Sequence, residues 1–177
     1  MTCIVGLVQD GRVYMGGDSA GVSGLDMTVR ADPKVFRNGH LIIGCTSSFR
    51  MRDLLQYGFV PPEQTEPDMT RWMVRDVIPA MRACFKDGGF ASKDAEKESG
   101  GTLLVGCHGR LFFVDGDYQV GIPQDGFMAV GCGDQVAHGS LFSTAGLPPE
   151  ERVLIALRAA ERFSAGVRAP FVVLAGE

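Results

Sequence analysis

The sequence predicts an α+β fold of two packed, mainly antiparallel sheets with helices outside them. Three observations carry that expectation. Apolar runs pair across three Gly-containing turns, the pattern of antiparallel hairpins. Between the second and third hairpins the apolar spacing changes from alternation to the helical period. After the third, helical spacing returns and the chain closes on a short β-branched run. With 177 residues, 45% hydrophobic and 21% charged, the chain is expected to form one domain, residues 1–177. A chain of that length buries roughly 70% of the surface exposed when unfolded.

Taken in order, residues 2–8 read as a strand, Asp10-Gly11 as its turn and residues 13–17 as the partner strand. Residues 34–37, Asn38-Gly39 and residues 41–44 make the second hairpin. A short helix is expected over residues 48–57. Met69, Trp72, Met73, Val77, Ala80, Met81 and Cys84 then recur at helical spacing behind Asp68, a suitable N-cap. Pro79 lies inside this pattern, lacks an amide donor and should bend or restart the helix. Trp72 and the methionines give it an apolar face suited either to its own sheet or to an interface between copies. Residues 87–100 are the candidate flexible connection, before the third hairpin of residues 102–107, His108-Gly109 and residues 111–114. Gly131-Cys132-Gly133 reads as a turn and residues 135–142 as a short helix. Residues 148–164 are a stronger helix, with Pro at the start and Glu150 and Glu151 complementing the dipole. Residues 171–174 return to strand.

Composition removes several function classes. Seventeen Lys plus Arg against 21 Asp plus Glu leave a net charge of −4, with no basic run to make a nucleic-acid footprint. Apolar runs fall far short of the ~20 residues of a membrane span, and no signal-peptide core forms at the N-terminus. A cytoplasmic protein is expected. Cys3, Cys45, Cys84, Cys107 and Cys132 form no C-x-x-C pair, so all five read as reduced, buried or half-buried packing residues. His40, His108 and His138 are too dispersed for a metal motif, so neither a metal nor a cofactor is expected.

Thr2 is the residue with chemistry to offer. A small side chain directly after Met1 leaves that Met removable, which would expose an α-amine beside a hydroxyl. Such an amine, with a pKa of about 7.7 to 8.0, serves as base to its own nucleophile. A competing pattern is Gly17-Asp18-Ser19-Ala20-Gly21, a G-x-S-x-G elbow that His138 and Asp134 would complete. An elbow needs a helix after its Ser, and none is predicted there.

The opening run T-C-I-V-G-L-V-Q-D-G-R-V-Y-M-G-G-D-S resembles the start of proteasome β-subunits and of their bacterial relatives, the HslV-type peptidases. Asp18 matches the family's Asp at the end of the second strand, and V-R-A-D-P-K-V-F places the family's catalytic Lys at Lys34. Both lie at the family's spacing from Thr2 without gaps. The stretch I-I-G-C-T-S-S-F-R resembles the turn that supplies the oxyanion-hole amide, which falls on Ser47, with Gly44 as the alternative. Ser47 and Ser48 stand where Gly-Gly is usual, but any non-proline residue offers an N–H. In V-G-C-G-D, Cys132 replaces the family's Ser beside Gly133. In A-L-R-A-A-E-R-F-S-A-G-V-R, Ser164 matches an accessory Ser while Glu161 stands in for a missing Asp.

The resemblance is specific over residues 2–48 and looser beyond. It implies an αββα Ntn-hydrolase sandwich and a threonine peptidase that cleaves peptides or unfolded proteins through an acyl-enzyme on Thr2. It also implies a homo-oligomeric ring and an ATP-dependent unfoldase as partner. The physical logic of the trio is that a Lys34 ammonium disfavours a second charge on the nearby amine, while Asp18 holds the lysine. The departures at Cys132 and Glu161 leave two alternatives: a catalytically silent assembly subunit, or a small-amide hydrolase of the same fold.

Overall fold

The computed structural model describes residues 1–90, 92–94 and 97–176. In chain order, β1 (Cys3–Gln9) and β2 (Arg12–Gly17) form the first hairpin, followed by a ribbon of β3 (Ala20–Ser23) and β4 (Asp26–Val29). β5 (Val35–Asn38) and β6 (Leu41–Cys45) make the second hairpin. α1 (Phe49–Asp53) runs into a π turn at Leu54–Gly58. α2 (Met69–Trp72) passes through a π turn at Met73–Val77 into α3 (Ile78–Asp87). β7 (Ser92–Asp94) and β8 (Lys97–Ser99) form a small ribbon, and β9 (Leu103–Cys107) and β10 (Arg110–Val114) the third long hairpin. β11 (Val120–Gly121), β12 (Phe127–Gly131), α4 (Asp134–Ser143), α5 (Pro149–Phe163) and β13 (Val172–Ala175) complete the chain.

Two antiparallel sheets result, ordered β12-β1-β2-β13 and β11-β10-β9-β6-β5. Side-chain alternation along the strands decides what lies on each face. From β1, Cys3, Val5 and Leu7 pack on Ala137 and Leu141 of α4 and on Val153, Ala156 and Leu157 of α5. Ile4 points the other way, into a layer with Met15, Val35, Ile42 and Leu104 between the sheets. Leu41, Ile43 and Cys45 of β6 meet Trp72, Met73 and Met81 on the outer face of the second sheet. The architecture is therefore helix, sheet, sheet, helix, as expected. Burial of each such side chain contributes about 1.5–3 kcal/mol. Gly44 belongs to the middle layer, where a Cβ would stand 2.4 Å from Ile4 Cγ2, so a glycine lets the sheets approach there.

Several expectations are refined. Asp68 caps α2 as predicted, accepting from the Thr70 and Arg71 amides at 2.9 and 3.2 Å. Pro79 is the second residue of α3, directly after the π turn, so the interruption expected at this proline takes the form of a widened turn in a helix that otherwise continues. The apolar face of Trp72, Met73 and Met81 is wholly buried against the chain's own sheet, which removes it as an interface between copies. The β3–β4 ribbon was not predicted: β4 alternates Asp26, Met27, Thr28 and Val29, but it is four residues long and exposed throughout. Within the predicted 87–100 connection, the described residues form the β7–β8 ribbon, and positions 91, 95 and 96 lie outside the described residues. Among the described residues, no helix is long and apolar enough to cross a membrane.

Candidate active site

The β1–β2 register pairs Ile4 with Gly17, so the residues just beyond that pair, Cys3 and Asp18, also lie side by side. Asp18 Oδ1 accepts from the Cys3 amide at 3.0 Å and from Lys34 Nζ at 2.8 Å. Its other oxygen accepts from the amides of Ala20 at 2.9 Å and Arg168 at 3.2 Å. The carboxylate thus ties β1, the β2–β3 junction, the strand-entry lysine and the loop after α5 into one node. Asp18 and Lys34 are 1% and 3% exposed, so the pair is shielded from water. Burial pulls the Lys34 ammonium below the ordinary lysine value, against the opposing attraction of Asp18.

Lys34 Nζ also donates to the Met1 carbonyl oxygen at 3.3 Å, and the Thr2 hydroxyl donates to that same oxygen. Three of the residues singled out from the sequence therefore converge at the Met1–Thr2 junction. The Thr2 carbonyl accepts from the Cys132 amide at 2.8 Å. Gly131 makes that approach feasible, since its φ is +104° and a Cβ there would stand 2.1 Å from the Thr2 oxygen.

On the far side, Ser47 turns β6 into α1 with a φ of 59°, a conformation that favours glycine. Its hydroxyl accepts from the Thr102 amide at 3.2 Å, and Ser48 caps α1 by accepting from the Arg50 amide at 3.1 Å. Among the described residues nothing accepts from the Ser47 N–H. Gly44 lies mid-ladder, paired with both Val35 and Leu104. A cavity of about 80 Å³ opens here, lined by Met1, Thr2, Lys34, Ser47 and Arg52 among others.

Solved structures give the comparison. Thiobacillus denitrificans BPH, alone or in complex with Epoxomicin, superposes with a TM-score of 0.82 over 99% of this chain and 98% of its own, at 19% identity. The fold is that of the proteasome-type Ntn hydrolases. Eukaryotic HslV from Trypanosoma brucei matches at a TM-score of 0.72 and 18% identity, over 99% of both chains. An Anbu variant from a Hyphomicrobium species matches at 0.68 and 16%, covering 98% of this chain and 80% of that one. No protein-family model and no curated protein matches the sequence.

Within this Ntn-type fold, the accessory positions divide. Cys132 Sγ accepts from Thr2 N at 3.2 Å, and Ser164 Oγ donates to the sulfur at 3.4 Å. Cys132 is exposed, which corrects its assignment as a packing residue: it lies in the turn past β12, where no strand or helix covers it. Gly133 plays a packing part, since a Cβ there would stand 2.8 Å from that of Ala160. Glu161 is engaged elsewhere and accepts from the Ala169 amide at 2.9 Å. The elbow alternative is not assembled. Ser19 donates to the Pro170 carbonyl at 2.6 Å and is followed by strand β3, while His138 contacts the Ala129 amide and the Asp134 carbonyl. Sequence reasoning missed the Arg168 amide and Arg52. A backbone donor leaves no mark in the sequence; Arg52, between Met51 and Leu55 on the buried side of α1, did leave one.

The thiols should report this geometry directly. Burial, aided by Asp18, pushes Cys3 up to about 12; burial alone pushes Cys107 to about 12 and raises Cys45 further. Iodoacetamide near neutral pH is therefore expected to label Cys132 first, with peptide mapping as the readout. Equal labelling of Cys45 would contradict the layered core.

Proposed function

We propose that this chain is an N-terminal threonine hydrolase acting as a proteasome-like peptidase, with Thr2 Oγ1 as nucleophile. The observation that carries the reading is the buried Lys34–Asp18 pair, bonded to the amide of Cys3 and delivering an ammonium to the Met1–Thr2 junction. Hydrolysis of the Met1–Thr2 bond releases Met1 and leaves a free α-amine on Thr2, next to Cys132 Sγ. The Lys34 charge holds that amine neutral near physiological pH, so it is available as a base. It takes the Oγ1 proton, directly or through a water, as Oγ1 attacks the substrate carbonyl carbon. The Ser47 N–H supplies a donor to the resulting oxyanion. Collapse returns the proton to the leaving amine and forms an ester on Thr2, which water hydrolyses to release the acid and restore the hydroxyl. A methionine aminopeptidase would remove Met1, and the later steps draw nucleophile, base and oxyanion donor from the chain's own residues.

Two measurements on the purified protein test this. Intact mass is expected to show Met1 absent, and incubation with Epoxomicin, the compound held by the Thiobacillus denitrificans relative, to add one adduct that maps to Thr2. Full retention of Met1 in a preparation that cleaves peptides would end the mechanism. A Met1-free protein inert toward both Epoxomicin and peptides would instead favour the silent assembly subunit.

The same reading includes a closed homo-oligomer acting on peptides or unfolded proteins, with an unfoldase to feed it. Sedimentation at micromolar concentration is expected to show a multimer. A peptide-cleaving species of only 19.0 kDa would point to the small-amide hydrolase.

A further inference from the structure

The substrate class can be read from charges that the catalytic trio does not use. The cavity beside Thr2, about 80 Å³ with Met1 in its lining, opens further when Met1 is released, so the chemistry of its walls rather than its size decides what it takes. Its lining includes Val22, Lys34, Thr46, Ser48, Phe49 and Arg52, and none of the described residues around it is acidic. Phe49 is pinned as one wall by the Arg30 guanidinium, 3.7 Å from its ring centre.

Arg52 is the unusual member. It is 4% exposed: Nε donates to the Pro33 carbonyl at 2.9 Å, Nη1 donates to Asp53 Oδ1 at 2.8 Å, and the guanidinium lies 5.7 and 5.6 Å from the ring centres of Phe36 and Tyr57. Nη2 has no acceptor among the described residues. The Asp53 side chain is 46% exposed, so water screens much of its charge. Lys34, by contrast, is matched by the fully bonded Asp18.

A second cavity, of about 540 Å³, lies beyond Cys132 and is lined by Arg158, Arg162, Ser164 and Arg168. It adjoins the nucleophile through the contacts from Ser164 Oγ to Cys132 Sγ and from Cys132 Sγ to Thr2 N. Its one acidic member, Glu161, is tied to the Ala169 amide. A chain with a net charge of −4 therefore places Lys34 and Arg52 in the cavity at Thr2 and three arginines in the cavity at Ser164. Such an arrangement attracts anionic ligands and repels cationic ones.

We infer that the substrate is an acidic peptide, and that a carboxylate side chain on the N-terminal side of the cleaved bond enters the cavity beside Thr2 and pairs with Arg52. The inference rests on Thr2 being the nucleophile. Charge-assisted bonding to a guanidinium provides the affinity.

A series of peptide epoxyketones, identical except for Asp, Asn, Leu or Arg at that residue, tests it. The rate of adduct formation on Thr2 is followed by intact mass. The Asp probe should react at least about tenfold faster than the isosteric Asn probe, the lower end of what a charged hydrogen bond contributes. The Leu and Arg probes should be slower still. Raising salt from about 0.05 to about 0.5 M should shrink the Asp advantage. In Arg52→Met the Asp-to-Asn ratio should fall to about one, whereas Arg52→Lys should keep it above one. If the wild-type protein reacts with Asn, Leu or Arg as fast as with Asp, the inference is overturned and the Thr2 mechanism stands. If no probe forms an adduct, both fall together.

Discussion

Thr2→Ala is expected to abolish peptide hydrolysis and adduct formation, lowering kcat on the order of 10⁴-fold or more, the scale seen when a nucleophile is removed. The fold should be untouched, because among the described residues the Thr2 hydroxyl bonds only to the carbonyl of Met1, a contact that is lost with Met1 and supports no other element. Circular dichroism and the melting temperature should therefore match the wild type. Ser19→Ala serves as the contrast. Its hydroxyl holds the Pro170 carbonyl, so the variant loses one hydrogen bond, about 1 kcal/mol of stability, and keeps most of its activity. The opposite pattern would revive the G-x-S-x-G reading and dismiss Thr2.

Asp18→Ala and Lys34→Met separate the structural from the chemical part of the buried pair. Without Asp18, an ammonium that is almost fully buried loses its counter-charge, and the amides of Cys3, Ala20 and Arg168 lose their acceptor. Removing one partner of a buried pair costs about 3–5 kcal/mol, so urea denaturation should place this variant far below the wild type. Lys34→Met keeps an aliphatic stem of similar length and leaves three amide donors on Asp18. Its loss of stability should be the smaller of the two.

The kinetic consequence reverses that order of severity. With the lysine charge gone, the Thr2 amine holds its proton to higher pH. A base must be neutral to act, so the acid limb of the kcat/KM profile should move to higher pH and the rate at neutrality should drop. Near-normal turnover with an unshifted profile would remove Lys34 from the mechanism.

How much of this was legible beforehand differs residue by residue. The Asp18 position follows from local rules: the Asp10-Gly11 turn sets the register of β1 on β2, and that register carries Asp18 to the start of the chain. Lys34 is on the approach to β5, in the opposite sheet, so no turn dictates its distance from Thr2. Its place was anticipated through resemblance to a family rather than through periodicity. The helix boundaries drifted by a residue or two because helix ends are set by caps and packing. The two π turns were not foreseen; the extra residue before α3 shifts its buried face, so Ile78 and Phe85 are buried with Met81 while Ala80 and Cys84, expected on that face, are only half-buried.

By itself the sequence determined the elements whose interactions are short in range: hairpin turns, the cap at Asp68, strand faces, and a threonine placed directly behind Met1. Only the tertiary structure decided what meets across the fold. It buried the Trp72 face against its own sheet, exposed Cys132 beside Thr2, and brought the Arg168 amide to Asp18. It also brought Arg52 to the cavity at Thr2 and gathered Arg158, Arg162 and Arg168 around a second one. The physical reason is the same in each case. Local conformation is governed by neighbours in the chain, whereas burial and electrostatics depend on distance in space, which the stacking of the two sheets sets.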